Sequence, residues 1–342
     1  MSELDGLIEE ASRAGEFSGV VRVDAGGDVV VERAFGLADR AHAIAMTADT
    51  RLGIASGSKV FTALAVLSLV EDGVLGLDTT ALSLLRGDLP LIRDDVTVEH
   101  LLAHRSGIGD YLDEEDEDGD PGDYVLALPV HELDSTEAFL PLLDGLPPKF
   151  PAGERFSYCN SGFVVLALLA ERASGVGYHD LVRHKVIEPA GLGRTEFLRS
   201  DDLPGDAAVG YVQVGGQWRT NVFHLPVMAT GDGGLHTTAA DVRTFWEALF
   251  ADRIVPAATR EAMLRPRSDV PEEEMRYGLG VWLHESKDVA ILVGSDPGVS
   301  FRSVHDPAAD LTHTSIGNTT SGAWRMTFAL DTALGLASAA RS

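Results

Sequence analysis

The chain has 342 residues, of which 45% are hydrophobic, so it can bury a sizeable core as one large domain or two closely packed ones. Its formal net charge is −26 at pH 7, which argues against nucleic acid and anionic membranes as partners. No stretch of the chain is apolar for long enough to predict a membrane span. The single cysteine, Cys159, excludes an internal disulfide.

Residues 1–17 (MSELDGLIEEASRAGEF) have the pattern of an acidic amphipathic helix. They have neither the basic start nor the apolar stretch of a signal peptide, so we expect a cytoplasmic protein. The next stretch, FSGVVRVDAGGDVVVERAFG, alternates β-branched residues on both sides of Asp24-Ala25-Gly26-Gly27. This pattern predicts a β-hairpin.

A long apolar helix that begins at Ser56 is predicted within residues 53–73 (GIASGSKVFTALAVLSLVEDG), with Gly73 as its stop signal. The residues after Lys59 leave almost no polar stripe, so we expect this helix in the core. Ser56 and Lys59 are three residues apart and lie on one helix face. Burial disfavours the charged form of a lysine, and a hydroxyl beside such an amine is an activated nucleophile. The alternative is an N-cap serine followed by a lysine whose ammonium extends to the surface.

The remaining elements predict an α+β fold. Residues 79–238 are helix-like, and residues 163–175 form their clearest helix. Strands return from about residue 275 (RYGLGVWLHE, DVAILVG, VSFRSVHD and LTHTSIGNT), before a last helix, AWRMTFALDTALGLA. We expect one antiparallel sheet from the N-terminal hairpin and the C-terminal strands, flanked by the terminal helices, with a large helical insertion. Residues 1–342 then form one unit, in which 1–78 and 239–342 are the sheet subdomain and 79–238 a mainly helical subdomain.

A second polar group, Tyr158-Cys159-Asn160, stands just before an apolar helix. In an extended turn Tyr158 and Asn160 point the same way. A tyrosine relays a proton when a nearby ammonium lowers its pKa, and an asparagine amide binds a substrate carbonyl. The alternative is the first turn of a helix in which Tyr158 packs as an ordinary aromatic residue.

Ser56-Gly57-Ser58-Lys59, followed about a hundred residues later by Tyr158-Cys159-Asn160, resembles the penicillin-recognition serine hydrolases. That family includes class C β-lactamases, D-alanyl-D-alanine carboxypeptidases, D-aminopeptidases and β-lactamase-like carboxylesterases. VTVEHLLAHRSGI, PAGERFSYCNSGF and GDGGLHTTAADV resemble further segments of the family, in the same order along the chain. The resemblance implies a β-lactamase-like fold and a catalytic set of Ser56, Lys59 and Tyr158, with Asn160 orienting the substrate. It implies no metal and no cofactor.

One strand departs from the family pattern. Where the family has Lys-Thr-Gly or His-x-Gly, this chain has Leu292-Val293-Gly294, which keeps the glycine and lacks the cation. The resemblance implies that Gly294 lets the substrate lie against the strand and that Ser295 offers an oxyanion N–H beside that of Ser56. We interpret Asp296 as a turn residue. Arg302 replaces the missing cation if it points into the cleft.

The resulting hypothesis is a serine hydrolase that acts through an acyl-enzyme on a small ester, amide or peptide. The alternatives are a D-amino-acid peptidase or β-lactamase, and a binding or sensing module that has lost turnover. His104 and His236 are expected to make structural hydrogen bonds. His179 and His184 are five apart, which is poor spacing for a shared metal on a helix. The acidic segment 110–123 does not fit the spacing of a calcium loop and predicts a solvated surface loop.

Overall fold

The computed structural model describes residues 3–85, 87–113 and 126–338. In chain order, its strands are β1 (Gly19–Ala25), β2 (Asp28–Phe35), β3 (Leu37–Asp39), β4 (Ile44–Ala45), β5 (Leu52–Gly53), β6 (Glu196–Phe197), β7 (Tyr211–Val214), β8 (Gln217–Thr220), β9 (Leu235–Thr237), β10 (Ser268–Val270), β11 (Met275–Tyr277), β12 (Trp282–His284), β13 (Ala290–Asp296), β14 (Val299–Asp306) and β15 (Leu311–Gly317).

The α-helices are α1 (Glu3–Ala14), α2 (Lys59–Glu71), α3 (Ala81–Leu85), α4 (Val98–Leu102), α5 (Leu140–Leu143), α6 (Asn160–Ser174), α7 (Tyr178–Val182), α8 (Glu188–Ala190), α9 (Ala239–Phe250), α10 (Ala257–Met263) and α11 (Gly322–Ala333). A short 3₁₀ turn, Ala55–Ser58, leads directly into α2.

The central sheet joins the two ends of the chain. Its eight antiparallel strands lie in the order β10-β11-β12-β13-β14-β15-β1-β2. β1 pairs with β15 along its whole length, from Gly19 opposite Gly317 to Ala25 opposite Leu311. The α+β fold with one antiparallel sheet, predicted from the alternating segments at both ends of the sequence, is confirmed.

Helices cover both faces of this sheet. On one face α1 and α11 pack together, and Ile8, Val21 and Met326 belong to the buried cluster between these helices and the sheet. On the other face lie α2, α6 and α9, in a larger apolar cluster that includes Leu292 and Phe301 of the sheet. The predicted flanking by the terminal helices is therefore confirmed, and both of these helices lie on the same face.

The helix α2 occupies the centre of the larger cluster, because every residue from 59 to 69 is buried. It ends at Glu71, and Gly73 follows with a φ of 70°, the left-handed conformation that commonly ends helices. The predicted core helix and its stop signal are both confirmed. None of the helices in the described ranges is long and apolar enough to cross a bilayer.

Residues 79–238 hold α3 to α8, together with the short strands β6 to β9. The strand β9 pairs with β5 and β6, which ties the end of this region to the residues just before Ser56. The helix α6 begins at Asn160, three residues before the predicted start. The subdomain boundaries 1–78, 79–238 and 239–342 stay a prediction. Most of the acidic segment 110–123 lies outside the described residues, which stop at Asp113 and resume at Leu126.

Candidate active site

Ser56 lies on the 3₁₀ turn between β5 and α2, and its neighbours fix that turn. Ala55 has a φ of 46°, a conformation that costs a non-glycine residue about 1–3 kcal/mol and persists only when the surroundings hold it. The hydroxyl of Ser58 contributes to this, since it donates to the Ala55 carbonyl (2.7 Å) and accepts the N–H of Leu235 (3.0 Å). Ser58 is fully buried, whereas Ser56 lines a cavity.

Lys59 is the first residue of α2 and is 2% exposed, so the alternative of an ammonium at the surface is wrong. Its Nζ lies 2.9 Å from Ser56 Oγ, 2.8 Å from Asn160 Oδ1 and 2.7 Å from the main-chain oxygen of Asp232. Carbonyl oxygens only accept hydrogen bonds. The ammonium form donates to Ser56, Asn160 and Asp232. When the amine is neutral, its two N–H groups can remain on Asn160 and Asp232, and its lone pair is then directed at the Ser56 hydroxyl.

The ring of Tyr158 lies beside this amine, with its centroid 4.9 Å from Lys59 Nζ. It stacks on Trp282 at 6.1 Å between centroids and lies 4.3 Å from the ring of His104. His104 Nδ1 accepts the N–H of Cys159 at 3.1 Å, which is the structural hydrogen bond expected of it. Burial lowers the pKa of His104 well below its ordinary value, so the ring is neutral where it supports Tyr158.

Asn160 is held by a carboxylate that sequence reasoning missed. Both oxygens of Asp110 accept main-chain N–H groups, those of Asn160 and Ser161, at 2.8 Å each. Burial raises the pKa of Asp110 to about 6. The side chain of Asn160 joins Lys59 to the Leu112 carbonyl, to which its Nδ2 donates at 3.1 Å. Asp110 follows the resembling segment VTVEHLLAHRSGI by two residues, and this proximity is a signal that could have found it. The predicted solvated surface loop is therefore wrong for Asp110.

The strand β13 forms the opposite wall, and Gly294 is where it meets the serine turn. A Cβ on Gly294 would lie 2.0 Å from the Ile54 carbonyl oxygen and 2.8 Å from the Gly57 nitrogen, so no larger residue fits. Ser295 is the next residue of the strand and is exposed. Leu292 points to the same face as Gly294 because side chains alternate along a strand. It is 4% exposed and lines a small cavity with Ser56, Lys59 and Tyr158.

Arg302 does not replace the missing cation. It pairs with Val293 across β13 and β14, so its side chain leaves the sheet on the face opposite to Gly294. There it forms an ion pair with Asp331 of α11, with Nε 3.4 Å from Oδ2. Asp296, interpreted from the sequence as a turn residue, is instead the last residue of β13.

The main cavity has a volume of about 290 Å³, and Ser56, Asn160 and Asp296 line it. Asp232 lines it as well, with its carboxylate accepting the hydroxyl of Tyr111. Burial raises the pKa of Asp232, and the nearby Lys59 charge opposes this. Tyr111 and Asp232 reach the site from distant parts of the chain and were not predicted as site residues.

In the part of the chain that the structure describes, no cluster of three or more histidine, cysteine or acidic side chains is arranged to hold a metal ion. His179 Nε2 contacts the Ala229 carbonyl at 2.7 Å, whereas His184 Nδ1 contacts Glu188 at 3.0 Å. His236 Nδ1 contacts the Gly234 carbonyl at 3.1 Å, which is the structural role expected of it. His179, His184 and His236 therefore each contact a different group.

Comparison with known proteins gives one consistent result. The chain is 35% identical to the penicillin binding protein from Bacillus halodurans, with a TM-score of 0.89 over 95% of this chain and 99% of that one. It is 29% identical to a D-aminopeptidase of Brucella anthropi over 280 residues, 78% of this chain and 49% of that protein. It is 29% identical to esterase EstB of Burkholderia gladioli over 312 residues, 82% of this chain and 78% of that protein.

Three other curated relatives are longer than this chain, which spans 67%, 62% and 58% of their lengths. The beta-lactamase family model matches residues 4–339, almost the whole of this chain. The match agrees with the fold and with the family resemblance of the segments that contain Ser56, Tyr158 and Gly231. This chain belongs to the beta-lactamase family.

Proposed function

We propose that this chain is a serine hydrolase that cleaves small esters or amides through an acyl-enzyme on Ser56. The observation that carries the proposal is the 2.9 Å contact between the buried Lys59 Nζ and the Oγ of Ser56, a residue that lines a cavity of about 290 Å³. The family supports it, because one relative is a D-aminopeptidase and another an esterase.

In the proposed reaction, Ser56 Oγ attacks the substrate carbonyl carbon while Lys59 takes the hydroxyl proton. Negative charge develops on the carbonyl oxygen, and the N–H groups of Ser56 and Ser295 stabilise it. Tyr158 donates its hydroxyl proton to the leaving alcohol or amine as the bond to the carbonyl carbon breaks, and it takes up the proton that Lys59 holds. A water molecule then attacks the acyl carbon and gives a proton to Lys59; the bond between the acyl carbon and Ser56 Oγ breaks, Lys59 returns the proton to Oγ, and the acid is released. Asn160 positions Lys59 and, lining the cavity, contacts the substrate.

The second candidate is a D-amino-acid peptidase or β-lactamase, which uses the same acyl-enzyme chemistry. The apolar Leu292 argues against a substrate that presents a carboxylate to this strand, because it offers no charge-assisted hydrogen bond. The third candidate is a binding module without turnover. The contacts of Lys59 with Ser56 and Asn160 argue against it. A cytoplasmic location, expected from residues 1–17, and the lack of a nucleic-acid partner, expected from the net charge, stay predictions.

The test is covalent labelling with a fluorophosphonate, read as the intact mass of the protein. Wild type should gain one label, and Ser56→Ala none. Ser200→Ala is the matched control, because Ser200 also lines the cavity but is outside the proposed machinery. Labelling of Ser56→Ala at the wild-type rate would end the proposal. A substrate panel of nitrophenyl esters, D-amino-acid amides and a fluorescent penicillin then separates the three candidates.

A further inference from the structure

Asp296 ends β13 two positions beyond Gly294, so both residues point to the same face of the strand. At Gly294 that face is packed against the turn that carries Ser56, and Asp296 lines the main cavity. We propose that Asp296 determines specificity by binding a positively charged amino group in the acyl part of the substrate. This inference rests on the proposed hydrolase function of Ser56.

The carboxylate of Asp296 is close to the serine turn. A Cβ built on Gly233 would lie 3.8 Å from Asp296 Oδ2 and 3.8 Å from the carbonyl oxygen of Ala55. The space beside Gly233 is therefore bordered by both the carboxylate and the residue that precedes Ser56. Asp296 also follows Ser295, the proposed oxyanion donor, by one residue. A group that Asp296 binds is thus within about one residue's length of the reacting carbonyl.

The residues on either side of Gly294 line different cavities. Leu292, two residues before Gly294, lines a small cavity with Tyr158, the proposed donor to the leaving group. Asp296, two residues after Gly294, lines the main cavity with Asn160. Gly294 lies between them, beside the serine turn. The ligand of Asp296 therefore belongs to the acyl part.

The charge of the main cavity favours a cation there. Of the described residues that line it, none is a lysine or an arginine, and three are aspartates: Asp201, Asp232 and Asp296. Arg199 binds both oxygens of Asp201 at 3.0 Å each, which neutralises that carboxylate. Asp232 is buried against Tyr111. Of the three aspartates, Asp296 is the one that lies on β13, next to Ser295, the proposed oxyanion donor.

Two further side chains that line the cavity, those of His236 and Asn318, offer hydrogen-bond acceptors. His236 Nδ1 lies 3.1 Å from the Gly234 carbonyl and so carries the proton, which leaves Nε2 as an acceptor. Burial lowers the pKa of His236 to about 4, so the ring stays neutral near pH 7. Asn318 is 3% exposed, and its Nδ2 donates to the Leu37 and Val209 carbonyls. Its Oδ1 has no donor among the described residues. A ligand that brings N–H donors suits this lining.

Apolar side chains also line the cavity, and they define the remainder of the acyl group that we propose. They include Leu198, Leu203, Val222, Leu225 and Pro226. An ammonium bound by Asp296 together with an apolar side chain against these residues describes an amino acid with a free amine. The substrate class is therefore esters or amides of apolar amino acids whose amino group is not acylated.

The test compares phenylalanine ethyl ester, in both D and L forms, with 3-phenylpropionic acid ethyl ester, which lacks the amino group. At about pH 6.5 the substrate amine is protonated, because the ordinary pKa of an α-amino group is about 8. The measurement is kcat/KM by pH-stat titration, for wild type, Asp296→Asn and Asp296→Glu. Asp288→Asn is the matched control, since it removes the same charge from an exposed position just before β13.

We expect Asp296→Asn to lower kcat/KM for one phenylalanine ester by about 10- to 150-fold, the value of a charge-assisted hydrogen bond. Turnover of the ester without an amine should change less than threefold, Asp296→Glu should recover part of the loss, and Asp288→Asn should leave the ratio unchanged. Equal effects of Asp296→Asn on both esters would overturn the inference and leave the hydrolase proposal standing. Failure of wild type to cleave any ester through Ser56 would overturn both.

Discussion

Replacing Gly294 by alanine tests the contact between β13 and the serine turn. The new Cβ would lie 2.0 Å from the Ile54 carbonyl oxygen, where real Cβ contacts are hardly ever below 3.0 Å, so strand and turn must separate by about 1 Å. A displacement of that size costs about 10²-fold in rate, and losing one oxyanion donor costs about 10²–10³-fold. We therefore expect kcat to fall by about 10²–10³-fold. The overpacking itself should cost about 1–3 kcal/mol in the free energy of unfolding.

The assay is kcat and KM with a nitrophenyl ester, together with urea unfolding of the same preparations. Gly193→Ala is the matched control, because a Cβ at Gly193 meets nothing within 4 Å and its φ is not in the left-handed range. It should keep wild-type activity and stability. If Gly294→Ala folds and keeps kcat within threefold of wild type, the strand does not position an oxyanion donor, and the assignment of Gly294 and Ser295 is wrong.

Three further predictions concern the rest of the site. Lys59→Ala and Tyr158→Phe should each lower kcat by about 10²-fold or more. The double variant should lose little more activity than the worse of the two single variants. Fully multiplicative losses in steady-state kinetics would mean that the two groups act independently. Leu292→Lys places a cation on the cleft face of β13, so it should raise the ratio of kcat/KM for nitrocefin to kcat/KM for a nitrophenyl ester by about tenfold or more. An unchanged ratio would show that the missing cation does not set specificity. Burial raises the pKa of Asp110 to about 6 from an ordinary 3.8. Between about pH 4 and pH 6 the folded protein therefore keeps a proton on Asp110 that the unfolded chain loses, and this group's contribution to stability falls as the pH rises through that range. Urea unfolding of wild type and Asp110→Asn across that range should show the difference between them changing with pH, and a constant difference would contradict the assignment.

Local patterns in the sequence were sufficient for the main elements of the fold. Alternating β-branched residues predicted β1 and β2, and Gly26-Gly27 adopt the positive φ values, 60° and 85°, that a two-residue hairpin requires. The nearly continuous apolar run after Lys59 predicted a buried α2 because a helix without a polar stripe has to be covered on all sides. Both signals act over a few residues, so they can be read without knowing the tertiary contacts.

The sequence by itself also determined the pairing of Ser56 with Lys59. Residues three apart at the start of a helix lie on one face, so their side chains come together independently of the tertiary contacts around them. The sequence did not determine which groups complete the site. Asp110 and Asp232 lie 50 residues before and 72 after Asn160. Asp110 accepts the N–H of Asn160, and the main-chain oxygen of Asp232 accepts from Lys59, because the packing of α6 and of the Gly231–Gly234 segment brings these residues to the site. No local pattern encodes such contacts.

Only the tertiary structure decided the direction of the side chains on β13 and β14. Side chains alternate between the two faces of a sheet, so a shift of one residue in the pairing would exchange the cleft face for the α11 face. The observed register places Gly294 opposite Phe301 and Val293 opposite Arg302. It therefore directs Asp296 to the cleft and Arg302 to Asp331. The residue types were visible in the sequence, but the register is fixed by burial of one face against α2 and of the other against α11.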